Sequence, residues 1–158
     1  MINEMSILHQ EISKVCPITG LSEKFGGYFI HFDQLADEEQ RVAAQAVIAN
    51  KNQILHKYQK LDELDQVFDL SLSAGFTTAE GWKLGLKNDD VLLLSSLFLL
   101  AKTAHEAGLP IPEVIDTNGN SHALTIEELT TLMLQYGAYR ANLSKEYAEN
   151  KKAIIEGN

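Results

Sequence analysis

The chain has 158 residues, enough for one domain or one domain with a small appendage, and its 45% apolar content is ordinary for a protein that builds a core. The balance of 13 Lys and Arg against 22 Asp and Glu gives a net charge of −9. That balance argues against nucleic acid as a partner, because phosphate backbones are bound by clustered Lys and Arg.

In chain order, Met1–Gln10 carries Glu4 and His9 among its apolar positions and lacks the basic start and apolar block of a secretory signal. Ile12–Phe32 reads as a small β unit. Ile12–Val15 is strand-like, Cys16–Gly20 and Gly26-Gly27 are turns, and the β-branched and aromatic Tyr28–Phe32 is a strand. Cys16 is the only cysteine, so no intramolecular disulfide can form, and a reducing cytoplasm is the simplest setting.

A helix begins at Asp37, which stands three residues before Gln40 in a capping-box spacing. Glu38 and Glu39 suit its first turn. No Gly or Pro occurs between Gly27 and Gly75, so this helix is expected to be long. Val47, Ile54, Leu61 and Phe68 recur every seven residues, joined by Tyr58, Leu64 and Leu72. The stripe either packs on the chain's own core or forms a self-association seam. Asn50, Lys57, Asp65 and Ser71 interrupt its partner row, which speaks against a regular dimeric zipper.

Gly75-Phe76-Thr77 and Trp82-Lys83-Leu84 suggest a further short β element. Asn88-Asp89-Asp90 signals a helix start, and Val91–Ala107, apolar nearly all round through Leu100, is expected to be a central buried helix. Leu94, Leu97, Phe98 and Ala101 are its core candidates. The densest run, Val91–Ala101, is far shorter than the roughly 20 residues of a membrane span, so no membrane partner is expected. Gly108, Pro110 and Pro112 end the helix. Val114–Thr117 and Ser121–Leu124 flank Asn118-Gly119, the signature of a hairpin with a type I′ turn. Thr125 and Glu128 cap the last helix, with Leu124 and Leu129 as a hydrophobic staple. Ile126, Leu129, Met133, Tyr136, Arg140, Leu143 and Tyr147 keep helical spacing, and the charged tail beyond Tyr147 is expected to fray.

No residues carry chemistry at convincing spacing. Asp116, Asn118, Asn120 and Glu127 imitate a calcium loop, but such a loop needs Gly at its sixth position, where Ser121 stands, and Pro110 and Pro112 exclude the incoming helix. The 5 histidines are not paired at metal-ligand spacing. His31 and Asp33 beside Cys16 lack an oxyanion-hole motif. Glu38-Glu39, Asp89-Asp90 and Glu127-Glu128 all lie in first helical turns, where the helix dipole accounts for them. No catalytic, cofactor-binding or metal residue is therefore assigned. The candidate interface is Val47, Ile54, Tyr58, Leu61 and Phe68.

Two stretches resemble phage proteins. Cys16-Pro17-Ile18-Thr19-Gly20-Leu21-Ser22, the aromatic strand ending near Phe32, and Ala36–Val47 resemble a small strand–strand–helix unit of short phage proteins. The usual form of that unit has a Cys-Pro-Ile turn and a Gln-Arg-Ala-Ala-Ala-like helix start. Gly75–Ile154 is similar to an uncharacterised tailed-phage domain family found in tail-fibre gene clusters. The shared features are the Gly75-Phe76-Thr77 opening, an apolar helix, the hairpin at Asp116–Asn120 and the Leu124–Leu129 helix start. The chain departs from that family in lacking a clear strand pair after Phe76 and in placing Asn50–Leu72 between the two units.

The resemblance implies a structural or adaptor component of a bacteriophage tail, in the baseplate or tail-fibre region. Such a component acts through protein–protein contacts and is not an enzyme. The alternative it implies is a tail-fibre assembly chaperone. Tail-fibre or baseplate proteins, and a homo-oligomer, are the implied partners; the virion tail, or the host cytoplasm during assembly, is the implied location. The expected fold is α+β, mostly α, with a long N-terminal helix, a buried central helix, a C-terminal helix and two small β elements. Residues 1–49 form the strand–strand–helix unit, 50–74 a helical connector, and 75–158 the helical domain with its hairpin.

Overall fold

The computed structural model describes residues 3–157 and shows an α+β fold, mostly α. Among the described residues there are five helices and three two-stranded antiparallel sheets, more of each than the sequence suggests. The chain divides into two compact units, Met1–Glu63 and Leu64–Asn158.

The first unit opens with a helix that the sequence reading lacks, α1 (Glu4–Ser13). Asn3 caps it by accepting from the Ser6 amide at 3.2 Å, which satisfies one of the unpaired N–H groups of the first turn. Ile7, Leu8 and Ile12 are buried along it. Ile12–Val15 is therefore not a strand. Ile12 lies in the helix, and its carbonyl accepts from the amides of Val15 and Cys16. A run of four residues carries little strand preference of its own, and the capped helix with its buried face overrides it.

Strands β1 (Ile18–Lys24) and β2 (Gly27–Phe32) pair from Lys24↔Gly27 to Ile18↔Phe32. Tyr28–Phe32 is thus a strand as expected, whereas Ile18–Gly20 is strand rather than turn. Phe25 (φ +52°) and Gly26 (φ +74°) make the two-residue turn, and positive φ at both positions is the type I′ geometry.

Helix α2 (Glu38–Ala49) starts with the complete capping box. The Gln40 amide donates to Asp37 Oδ1 at 2.8 Å, and the Asp37 amide donates to Gln40 Oε1 at 3.1 Å. The single long helix expected here is two: α3 (Lys51–Ala74) follows a break at Asn50. Asn50 donates both its amide and its Nδ2 to the Ala46 carbonyl, each at 3.0 Å, and such side-chain competition for a helix carbonyl is enough to interrupt the ladder without Gly or Pro. Ile12, Cys16, Ala36 and Ala44 form this unit's core, flanked by Ile30, Phe32, Val47 and Ile48.

The second unit holds β3 (Phe76–Thr77), β4 (Lys83–Leu84), α4 (Asn88–Glu106), β5 (Val114–Ile115), β6 (Ser121–His122) and α5 (Ile126–Glu156). Its core gathers Phe76, Leu84, Leu86, Leu94, Val114 and Leu129 around Tyr136. Gly85 is required where it stands, because a Cβ there would lie 2.3 Å from Asp90 Oδ2, the oxygen that accepts from the Lys87 amide and caps α4. Helix α5 reaches back to the same loop. Tyr136 donates its hydroxyl to the Gly85 carbonyl at 2.7 Å, and Arg140 Nε donates to the Leu86 carbonyl at 3.1 Å. Burial pushes the Tyr136 phenol above its ordinary pKa.

Two further expectations are corrected in this unit. The tail beyond Tyr147 does not fray: α5 continues to Glu156 and ends on Gly157 in the left-handed conformation. Its last turns are tied to α3, since Tyr147 donates to Asp65 Oδ1 at 2.5 Å and Lys151 Nζ lies 3.6 Å from the same carboxylate. The turn at Asn118-Gly119 is not type I′, because only Gly119 (φ +82°) has positive φ. The Gly119 amide donates to the Asp116 carbonyl at 3.0 Å, closing a type I turn that Gly119 completes as a bulge.

Candidate docking surface

Helix α4 is not the all-round buried element that its composition suggests. Leu94, Ala101 and Ala104 are buried on one side, and Leu97 and Phe98 are half-buried. Leu92, Leu93, Leu99 and Leu100 are 71%, 71%, 68% and 59% exposed. The physical reason is the size of the surroundings. Sheets with strands of two residues and one long helix cover one face of a 19-residue helix and leave the other to solvent.

The outer face has a simple plan. Ser96 stands at its centre, and the four exposed leucines are its i−4, i−3, i+3 and i+4 neighbours, the positions that surround a residue on a helix surface. Ser96 Oγ donates to the Leu92 carbonyl at 2.8 Å, and Thr103 Oγ1 donates to the Leu99 carbonyl at 3.1 Å. Both hydroxyls are therefore satisfied within the helix, so covering these two leaves no donor unpaired. No charged residue interrupts Val91–Ala101; Asp89 and Asp90 stand before it and Lys102 after it. Leu93 also borders a recess of about 300 Å³ lined by Leu84, Leu94, Leu97, Val114 and Ile115 together with the polar Asp90, Asp116 and Thr117. That volume is at the lower limit for small-molecule pockets, and an exposed apolar ridge beside a largely apolar recess is the pattern of a protein contact.

The stripe read from the sequence is placed differently. Val47 lies on α2, half-buried against the first unit's core. Ile54, Tyr58, Leu61 and Phe68 lie on α3, all half-buried. Tyr58 donates to Glu11 Oε1. Burial pushes the Glu11 carboxyl up, but the hydrogen bonds from Lys14 and Tyr58 outweigh it and hold the group below its ordinary pKa. Phe68 stacks on Tyr147 with ring centroids 4.4 Å apart, and the Arg140 guanidinium lies 5.7 Å over the Phe68 ring. Four of these five residues belong to the first unit and Phe68 to the second.

The calcium-like loop has its own use for Asp116. Oδ1 accepts from the amides of Asn118 and Asn120 at 2.8 and 2.9 Å, and Oδ2 accepts from Asn120 Nδ2 at 3.0 Å and His122 Nε2 at 3.1 Å. The Asn120 side chain is the largest of the influences that hold this carboxyl well below the usual carboxylate range, against the opposing push of burial. An ionised carboxylate has no proton to give, so Nε2 of His122 carries one. The His122 ring stacks on Trp82 at 4.1 Å. Cys16 is 2% exposed, and His31 meets Ser22 Oγ at 2.9 Å. Among the described residues no group of three His, Cys, Asp or Glu side chains is arranged to hold a metal ion. No helix among them is long and apolar enough to cross a membrane.

The signal for the α4 surface is present in the sequence as a pair of serines inside a leucine run. It reads as an interruption of a core helix until the neighbouring elements are seen to be too small to cover both sides. Comparison of the chain with protein-family models, with curated proteins and with solved structures finds no match.

Proposed function

We propose that the protein is a structural or adaptor component of a bacteriophage tail, in the baseplate or tail-fibre region, and that it works by binding other proteins rather than by catalysis. The observation that carries the binding role is the outer face of α4, where four leucines are displayed with no charge among them and with the hydroxyl of Ser96 at their centre already bonded. Exposed apolar surface of this kind marks protein contacts. The tail context rests on the resemblance of Cys16–Val47 and Gly75–Ile154 to phage units.

Mass spectrometry of purified, washed virions tests it. A tail component is present at a fixed copy number. An assembly chaperone is depleted from virions and recovered with unassembled fibre protein. Absence from both fractions overturns the tail reading.

A further inference from the structure

We propose that Asn118-Gly119 is a self-modification site, at which the Gly119 backbone nitrogen attacks the Asn118 side chain and converts it to aspartate or isoaspartate, and that the isoaspartate formed releases the hydrogen bonds Asp116 makes to Asn120 and His122. Asn118 is the one asparagine of the chain that precedes a glycine. Glycine has no Cβ, so nothing shields its nitrogen from the side chain before it. Asn118 is exposed. Among the described residues its side-chain amide has no hydrogen-bond partner, unlike those of Asn50, Asn88 and Asn120, which bond Ala46, Arg140 and Asp116.

The reaction needs only water. The Gly119 nitrogen gives its proton to solvent and forms a bond to Asn118 Cγ. The bond from Cγ to the side-chain nitrogen breaks, and that nitrogen takes a proton and leaves as ammonia. A water molecule then opens the cyclic imide. Attack at Cγ gives aspartate. Attack at the main-chain carbonyl gives isoaspartate, in which the main chain runs through Cβ and Cγ and is one atom longer. Nothing is oxidised or reduced.

The folded turn holds this reaction back. Gly119 donates its N–H to the Asp116 carbonyl at 3.0 Å, and Asp116 Oδ1 accepts from the amides of Asn118 and Asn120 at 2.8 and 2.9 Å. With these amides pinned to one residue, the Gly119 nitrogen reaches Cγ only when the turn opens. Strands β5 and β6 have two residues each, so the opening breaks a few bonds rather than the whole unit. Isoaspartate cannot close the same turn, because its longer main chain shifts Gly119 and Asn120 away from Asp116. Either product also sets a new negative charge two residues from a carboxylate that already accepts four hydrogen bonds. His122 Nε2 then loses its partner at 3.1 Å, and the His122 ring loses its fixed place on Trp82.

Peptide mapping by mass spectrometry of the full chain, incubated at mildly alkaline pH, is the test. The fluorescence of Trp82, the only tryptophan, is read alongside. In the folded chain amide loss at Asn118 outpaces that at every other asparagine, and isoaspartate appears there. The chain unfolded in urea loses this amide several-fold faster, and Asp116→Asn in buffer loses it faster than wild type. Trp82 fluorescence drifts in step with isoaspartate in wild type and stays constant in Asn118→Gln. Faster loss at another asparagine, or none at Asn118, overturns the site. Equal rates in urea and in buffer overturn the latch, whether or not Asp116→Asn folds. Fluorescence that stays constant while isoaspartate accumulates, or that drifts equally in Asn118→Gln, overturns the coupling to His122.

Discussion

Helices α3 and α4 both carry apolar residues on several faces and use them in opposite ways. Helix α3 has 24 residues and buries none, yet its aromatic residues are engaged: Tyr58 bonds Glu11, and Phe68 lies between Tyr147 and Arg140. Helix α4 buries Leu94, Ala101 and Ala104 and displays four leucines on the other side. Within the stripe, Tyr58 and Phe68 thus already have hydrogen-bond and ring partners inside the chain. The guide to a docking surface is instead an apolar face whose central hydroxyl is satisfied inside its own helix, as that of Ser96 is.

The largest expected effect lies within α4. Leu94→Asp buries an unpaired charge and destabilises the second unit by about 3 kcal/mol or more, while Leu92→Asp on the opposite face changes stability by less than about 0.5 kcal/mol. Urea titration of both variants reads the difference. Equal effects would break the two-faced description of the helix.

Next in size is Phe68→Ala on α3. It removes the stack on Tyr147 and costs about 1–2 kcal/mol, more than Leu99→Ala on the open face of α4. Thermal melts that rank Leu99→Ala above Phe68→Ala would mean that α4's outer face is covered in solution.

The smallest effect concerns the first unit. Tyr58→Phe removes the hydrogen bond to Glu11 and costs about 1 kcal/mol at neutral pH. The Glu11 pKa is lowered in the folded chain, so its contribution is present above the ordinary glutamate pKa and is lost as pH falls through the folded value. Stability of the variant, followed from pH 7 downward through about pH 4, the ordinary glutamate range, declines less steeply than that of wild type. Parallel pH profiles would show that Tyr58 does not stabilise the charged form of Glu11.

Much of the fold is local and was legible. The capping boxes at Asp37–Gln40 and Thr125–Glu128, the start of α4 at Asn88, the strand Tyr28–Phe32 and the paired segments around Gly75–Leu84 are set by bonds spanning a few residues. Helix α1 was equally legible from Asn3 and the apolar positions Leu8 and Ile12, but the β-branched look of Ile12–Val15 competes with it. The break at Asn50 is also local, and a rule based on Gly and Pro alone does not see a side chain that bonds back to Ala46.

By itself, then, the sequence determines where helices begin, where hairpins turn and that the chain is mostly α, because those choices rest on neighbours within one or two turns. Tertiary structure decides the rest. The last turns of α5 are held by Asp65, 82 residues before Tyr147. The turn at Gly119 takes its form while the Asp116 carboxylate gathers the amides of Asn118 and Asn120 and the Lys83 carbonyl holds the Thr117 amide. The run Val91–Ala101, Ser95 and Ser96 apart, is apolar on all sides in the sequence. Which leucines become core and which become surface depends on how much neighbouring structure arrives to cover them, and here it covers only one face.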